Sequence, residues 1–308
     1  MQSNIPSALD IEASQDRIKD YIHRTPILSN SYISRLVDAD VHFKCENFQR
    51  VGAFKARGAI NAVLSLTGPE LAKGVATHSS GNHAQAIALA AKMAGSKAFI
   101  VMPYSAPRIK KAAVEDYGAE IIECEPTLAA RETTLKSVVE KTGATFIHPY
   151  DDYRVIAGQA TAGKELIEDV EGKMDSIVTP VGGGGLLSGT ALSAYYFSTG
   201  TKVYGGEPEG ADDAYRSFHK RQLIPQLHPK TIADGLLTSL GERPFHIMIN
   251  YVSDIFLVSE TEIIDAMRLV WERMKIIIEP SCAVPLAAVL RNREQFKDQR
   301  IGIILTGG

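Results

Sequence analysis

Short apolar runs alternate with longer segments of helical patterning through most of the chain. Val41–Cys45, Gly74–Thr77, Ala98–Met102, Glu120–Glu123, Phe146–His148, Ser176–Pro180, Lys202–Gly206 and Ile301–Leu305 are the predicted strands. Between them, Phe54–Leu66, Asn82–Ala94, Ala106–Tyr117, Leu128–Thr142, Ile156–Asp169, Leu186–Phe197 and Glu260–Met274 are predicted helices. Strands that repeatedly alternate with helices need crossover connections and so pair in parallel. This predicts an α/β fold of two doubly wound open-sheet lobes. The interval from Gly74 to Phe146 holds a βαβαβαβ set of its own. We therefore expect residues 74–148 to form a small inserted domain, with residues 1–73 and 149–308 forming a larger one. Open α/β sheets bind ligands beyond the C-terminal ends of their strands, which makes the cleft between the lobes the expected active site.

Composition narrows the class. The 308 residues are 45% hydrophobic and 22% charged, which argues against disordered, collagenous and coiled-coil chains. The net charge is −3 and no basic stripe occurs, so no nucleic-acid partner is expected. Gln85 and Lys92 interrupt the apolar stretch Ala84–Ala94, while Glu279 and two prolines interrupt Ile276–Leu290, so no membrane partner is expected. Asp10, Glu12 and Asp16 stand where a secretory signal would be apolar. Cys45, Cys124 and Cys282 are odd in number and lack metal-ligand spacing. Together these features read as a cytoplasmic chain with buried thiols.

Three motifs carry chemistry. In Pro180-Val-Gly-Gly-Gly-Gly-Leu-Leu-Ser-Gly189 a strand runs through Gly182, Gly183, Gly184 and Gly185 into a helix. Without Cβ atoms such a loop turns several N–H groups inward, and the helix start adds its positive dipole end, which makes a phosphate cradle. The run lacks the Gly-Lys-Ser/Thr of a P-loop and a suitably placed acidic residue of a dinucleotide fingerprint, so it does not name the ligand. In Glu46-Asn-Phe-Gln-Arg-Val-Gly-Ala-Phe-Lys-Ala-Arg-Gly-Ala59, Lys55 is flanked by Ala53, Phe54, Ala56 and Gly58. Most lysines are solvated surface charges. In this company the amine is expected to be desolvated, lowered in pKa and able to form a Schiff base with an aldehyde. In Thr77-His-Ser-Ser-Gly-Asn-His-Ala-Gln-Ala86, the polar run Ser79, Ser80, Gly81 and Asn82 offers hydroxyls, an amide and free N–H groups to a carboxylate or ring oxygen. A helix cap accounts for one of these residues.

Phe54-Lys55, Ser79-Ser-Gly-Asn-His83 and the tetraglycine, in this order, resemble the fold-type II pyridoxal-phosphate enzymes. Within them, the resemblance is to the group of serine racemase, serine/threonine dehydratase and threo-3-hydroxyaspartate dehydratase. The likeness runs from Arg24-Thr-Pro-Ile27 to Leu305-Thr-Gly-Gly308. It implies pyridoxal 5'-phosphate as cofactor, Lys55 as the lysine that carries it and Gly182 to Leu186 as its phosphate cradle. It also implies Asn82 at the ring hydroxyl, Phe54 and Gly235 on the two ring faces, and Thr306 at the pyridine nitrogen. A hydroxyl at that nitrogen leaves it largely unprotonated, which limits carbanion delocalisation and favours quick β-elimination. Ser80 matches the hydroxyl that faces Lys55 across the substrate Cα, so elimination and inversion are both implied.

The resemblance implies substrate contacts from Ser79, Ser80, Asn82, His83, Arg131 and Thr238. An Arg131 guanidinium facing the site would pair with a second substrate carboxylate and favour 3-hydroxyaspartate over threonine. Tyr150-Asp-Asp152 departs from the asparagine of the mammalian racemases and looks more like the microbial dehydratases. Glu207-Pro-Glu-Gly-Ala-Asp-Asp213 resembles the family's cation loop, with Glu207 and Asp213 side chains and the Ala211 carbonyl as ligands. All-oxygen ligation suits Mg²⁺ or Ca²⁺, with Mn²⁺ a further candidate; by composition alone the segment is an acidic turn. Ser31, Tyr32, Arg50, Gln85, Tyr117 and Lys275 fall where the eukaryotic racemases bind an activating nucleotide, so ATP is a candidate activator, although Tyr32 and Arg50 are not the usual residues.

The expected reaction is dehydration and deamination of L-serine, threo-3-hydroxyaspartate or L-threonine to a 2-oxo acid and ammonia, with racemase side activity. The alternatives are a principal serine racemase, a β-replacement synthase and a nucleotide-binding dehydrogenase or binding module. The resemblance also implies a homodimer acting on a small amino acid. No regulatory domain is seen, so feedback inhibition by isoleucine is not expected, and the family pattern continues past Gly308.

Overall fold

The computed structural model describes residues 5–106 and 108–308. Along the chain run α1 (Ala8–Ile18), β1 (Ile27–Ser29), α2 (Ser31–Val37), β2 (Asp40–Cys45), α3 (Lys55–Leu64), α4 (Gly68–Lys73), β3 (Val75–His78), α5 (Asn82–Met93), β4 (Ala98–Pro103), α6 (Arg108–Asp116), β5 (Glu120–Cys124), α7 (Leu128–Thr142) and β6 (Thr145–Phe146). Then follow α8 (Tyr153–Asp169), β7 (Ser176–Pro180), α9 (Gly185–Phe197), β8 (Lys202–Pro208), α10 (Asp213–Lys220), α11 (Glu242–Tyr251), β9 (Asp254–Val258), α12 (Glu260–Met274), α13 (Pro280–Arg291), α14 (Arg293–Phe296) and β10 (Arg300–Leu305).

The strands form two open sheets, ordered β1-β2-β10-β7-β8-β9 and β5-β4-β3-β6. Among the described residues every strand-to-strand pairing in the two sheets is parallel except β1 on β2. This is the α/β architecture that the alternation predicts. The last strand is central: β10 lies between β2 and β7, with Ile301 opposite both Val41 and Ser176. The motif-bearing loops that follow β2, β7 and β10 therefore leave the same edge of one sheet.

The expected strands and helices are present, with ends shifted by a few residues. Gly74 is not part of β3: at φ +94 it closes α4, donating its N–H to Leu71 O. Pro107, inside the expected helix Ala106–Tyr117, lies outside the described residues. Elements without a clear sequence signal also form. The helix α13 contains Pro280 and Pro285, which read as breakers, yet Pro280 occupies the first turn, where a missing N–H costs nothing. The edge strand β1 is only three residues long, too short for a period to register.

Each sheet is covered on both faces. Val41, Phe43, Val178 and Ile303 pack with Val284 and Leu286 of α13. On the opposite face Ile177, Val203 and Ile304 meet Leu166 and Leu187 of α8 and α9. In the smaller sheet Ile100 and Met102 pack with Ile87 of α5 and Ile60 of α3. The helix α3, which precedes that sheet in sequence, thus packs on α5 and on α8 together. It is shared by the two layers, and Lys55 is its first residue. Among the described residues no helix is long and apolar enough to cross a membrane.

Candidate active site

The start of α3 is fixed by the end of β10. Phe54 N–H donates to Thr306 O at 3.0 Å, and Ala53 forms a bridge with Gly307. From this start Lys55 Nζ donates to Pro149 O at 3.0 Å and lies 5.0 Å from the centroid of the Phe54 ring. Burial pushes the amine pKa down to about 8, against an opposing pull from Glu279. The desolvated lysine expected from its small and apolar neighbours is what the fold produces.

The Ser79–His83 segment runs from the end of β3 into the first turn of α5. Ser79 N–H donates to Val101 O at 3.2 Å, and Ser79 Oγ accepts Gly81 N–H at 3.3 Å, while Ser80 is partly exposed beside it. Asn82 Nδ2 donates to both oxygens of Glu279, at 3.2 and 3.3 Å. His83 is 3% exposed; its Nε2 lies 3.3 Å from Ile147 O and its Nδ1 is buried without a partner. Burial holds His83 well below the usual histidine range and His148 at about 4, and the Lys55 charge pushes both the same way. These rings are neutral at pH 7, so they add no positive charge to the surroundings of Lys55.

The glycine run is packed closely by its neighbours. A Cβ on Gly183 would lie 2.2 Å from the Tyr150 ring, and one on Gly182 would lie 3.0 Å from Leu236 Cα. Gly184 has φ +87, and its Cβ would approach Leu240 Cδ1 at 2.6 Å. Gly185 and Leu186 open α9, so the N–H groups of its first turn face the loop. Gly235 N–H donates to Ser281 Oγ at 3.0 Å. Burial raises the Tyr150 phenol to about 12, with Thr238 opposing the rise. Thr306 is 2% exposed, and its Oγ1 has no partner. A buried hydroxyl that lacks a partner, a side-chain-free turn at a helix start and a desolvated amine fit an aromatic aldehyde phosphate.

Glu279 is the residue that sequence reasoning missed. It looked like an interruption of an apolar stretch, but it stands at the residue before α13 and accepts from Asn82. A charged residue directly before a helix-opening proline was the available signal. Burial raises its pKa, opposed by the Asn82 hydrogen bond.

Arg131 is on α7, partly buried, with its Nε lacking a partner; its charge bears on His78 and Cys124. Glu207, at the end of β8, accepts Ala214 N–H at 3.0 Å and Tyr215 N–H at 2.7 Å. Asp213 Oδ2 accepts Leu240 N–H at 2.7 Å, whereas Oδ1 is buried without a partner; Ala211 is buried between them in sequence. Burial pushes Glu207 well above the usual carboxylate range and Asp213 up to about 6. Among the described residues no cluster of three or more His, Cys, Asp or Glu side chains suited to a metal occurs, so a cation here would rest on this pair and backbone oxygen.

The six nucleotide candidates fall into two groups. Arg50 precedes Val51, which packs in the core that also holds Tyr117, and the turn at Arg50 packs on α5, which carries Gln85. Ser31 and Tyr32 open α2, where the Arg273 guanidinium lies 4.0 Å from the Tyr32 ring centroid; Lys275 follows at φ +60.

Comparisons with known proteins agree with this geometry. The family described as pyridoxal-phosphate dependent enzyme matches residues 18–307. A beta-hydroxyaspartate dehydratase of Paracoccus denitrificans is 51% identical over 99% of this chain and 96% of its own length. A serine racemase of Dictyostelium discoideum is 50% identical over 97% of this chain and 93% of its own. The crystal structure of serine racemase from Dictyostelium discoideum superposes with a TM-score of 0.94 at 48% identity, covering 98% of each chain. The chain belongs to the pyridoxal-phosphate-dependent enzymes of fold type II.

Proposed function

We propose that the chain is a pyridoxal-phosphate-dependent ammonia-lyase that converts a small β-hydroxy amino acid to a 2-oxo acid and ammonia, with racemase side activity. The observation that carries this reading is the Lys55 amine, held at Pro149 O and lowered to about 8 at the start of a helix pinned to Thr306. In this reading Lys55 bonds the cofactor, Gly182 to Leu186 hold its phosphate, Asn82 meets the ring hydroxyl, Phe54 and Gly235 flank the ring, and Thr306 Oγ1 meets the ring nitrogen. The orphaned Thr306 hydroxyl and the closely packed glycine run support these assignments.

When bound, the cofactor supplies the electron sink for the pair left at the substrate Cα. The chain's own groups handle protons and position. Once the substrate amine has displaced it, the freed Lys55 Nζ takes the Cα proton and then gives it to the departing β-hydroxyl, which leaves as water. Ser80 Oγ serves the opposite face of Cα, where proton delivery gives inversion in place of elimination. Ser79, Asn82, His83 and Thr238 line the substrate side. The partly buried Arg131, with an unpartnered Nε, suits a second carboxylate, which favours threo-3-hydroxyaspartate over L-serine and L-threonine. The Paracoccus relative's name points the same way. A principal serine racemase is the second reading, favoured by Ser80 and by the name of the Dictyostelium relative.

The same reading places Mg²⁺, Ca²⁺ or Mn²⁺ on Glu207, Asp213 and the Ala211 carbonyl. Two buried carboxyls with raised pKa values and an orphaned Oδ1 fit such a cation, which would lower both. Asp213 accepts from Leu240, whose side chain packs at Gly184, so the cation would brace the glycine turn. ATP at Ser31, Tyr32, Arg50, Gln85, Tyr117 and Lys275, a homodimer, a cytoplasmic location and a small domain of residues 74–148 within the larger one belong to the same proposal.

The test is ammonia release from L-serine, D-serine, L-threonine and threo-3-hydroxyaspartate, with and without Mg²⁺ and ATP. The Lys55→Ala protein is expected to lose turnover and the cofactor's absorbance at about 410–420 nm. Full turnover in that variant would overturn the reading.

A further inference from the structure

We propose that Arg57 is a positioning residue for Lys55, a buried clamp that sets where the first turn of α3 stands against the six-stranded sheet. The inference rests on the reading of Lys55 as the cofactor lysine. Arg57 is 0% exposed, and all five of its N–H donors are used. Nε and Nη2 donate to Glu46 at 2.7 and 2.8 Å. Nη1 and Nη2 donate to Glu165 at 2.8 and 2.7 Å, and Nη1 also donates to Thr161 Oγ1 at 3.1 Å. Glu46 follows β2, while Thr161 and Glu165 are on α8, so one guanidinium ties α3 to two separate elements. Lys44 completes the cluster, donating to Thr25 O at 2.9 Å and pairing with Glu165 at 2.7 Å.

Three observations give the clamp a geometric role. First, α3 is not held by its own cap. Phe54 makes no side-chain capping bond, and Val51, a β-branched residue in the turn before it, sits at φ +56, which costs energy and needs outside support. Second, α3 and α8 cross backbone to backbone. A Cβ on Gly158 would lie 2.7 Å from both Arg57 O and Gly58 Cα, and one on Gly58 would lie 2.5 Å from Gln159 Nε2. At such a crossing the forked guanidinium admits one register only. Third, residues two apart on a helix leave it roughly 200° apart. Arg57 therefore anchors the side of α3 away from Lys55, so that a shift of the anchor moves the amine directly.

A buried ion cluster adds little stability over a well-packed apolar one, so stability alone gives no reason for four charges here. Their arrangement defines a position.

The experiment compares the parent holoenzyme with Arg57→Met/Glu46→Gln, which removes one cation and one carboxylate and leaves Lys44 paired with Glu165. Borohydride reduction fixes the cofactor to its lysine, and peptide mapping identifies that lysine. The expected result is melting close to the parent, kcat lowered about tenfold with KM within about twofold, and a smaller fraction of cofactor fixed on Lys55. Parental kcat together with parental fixation would overturn the proposal. If the double variant does not fold, Thr161→Val, which removes one uncharged acceptor, decides in the same way. There, a several-fold loss of kcat at unchanged melting supports the clamp, and parental kcat and fixation refute it. Fixation on another lysine in the parent would instead refute the reading of Lys55, and the clamp's purpose with it.

Discussion

Asn82 and Glu279, 197 positions apart in the chain, share a hydrogen bond in which the amide at the start of α5 donates to both carboxylate oxygens at the start of α13. The contact joins the four-stranded layer to the six-stranded one beside Lys55. It also sets the local charge, because Glu279 is the group that opposes the fall of the Lys55 pKa. In Glu279→Gln that opposition is gone. The Lys55 amine of the cofactor-free protein is expected to titrate below about 8, read from the pH dependence of its acylation rate. An unchanged or raised value would show that the two groups do not interact.

The partly buried lysine also affects stability. The folded pKa of about 8 lies below the ordinary 10.5, so folding penalises the charged form. The penalty is complete below pH 8 and fades as pH rises to 10.5. Cofactor-free Lys55→Met is therefore expected to melt above the parent at pH 7, and the difference should shrink across that window. A difference that holds steady to pH 10.5 would contradict this account.

Gly184→Ala should be costly. The residue sits at φ +87, and its Cβ would stand 2.6 Å from Leu240. Strain and overpacking together are expected to cost about 2–4 kcal/mol in thermal unfolding and to weaken cofactor binding. Gly68→Ala, where nothing lies within 4 Å, is the control and should stay within about 0.5 kcal/mol.

The cation proposed at Glu207 and Asp213 would leave a distinct pH signature. With no cation, Asp213 titrates at about 6 in the folded protein against 3.8 ordinarily. The folded state then binds the extra proton, so stability should fall as pH rises between these values. Mg²⁺ should remove that slope and raise melting at pH 7, while a chelator should reverse the gain. In Asp213→Asn neither addition is expected to matter; a full Mg²⁺ response in that variant would place the ion elsewhere.

Much of the candidate site was legible along the chain because its signals are local. A missing Cβ at four successive positions, a lysine among small residues and a polar run at a strand end each depend on near neighbours, as does the alternation of strand and helix. Other features have no local signal. That β10 inserts between β2 and β7 depends on which edges remain open after the rest of the sheet has formed. Glu279 read only as an interruption of an apolar stretch, because its partner Asn82 is distant in sequence.

The amino-acid order by itself determined the alternation of elements and the glycine turn, and it singled out Lys55 as the candidate amine. Only the tertiary structure decided how far that amine's charge is suppressed, which carboxylate stands near it and which carboxylates pair with Arg57 two residues on. The reason is physical: conformational preference acts over a few residues, whereas desolvation and charge pairing depend on what the whole fold packs around each group.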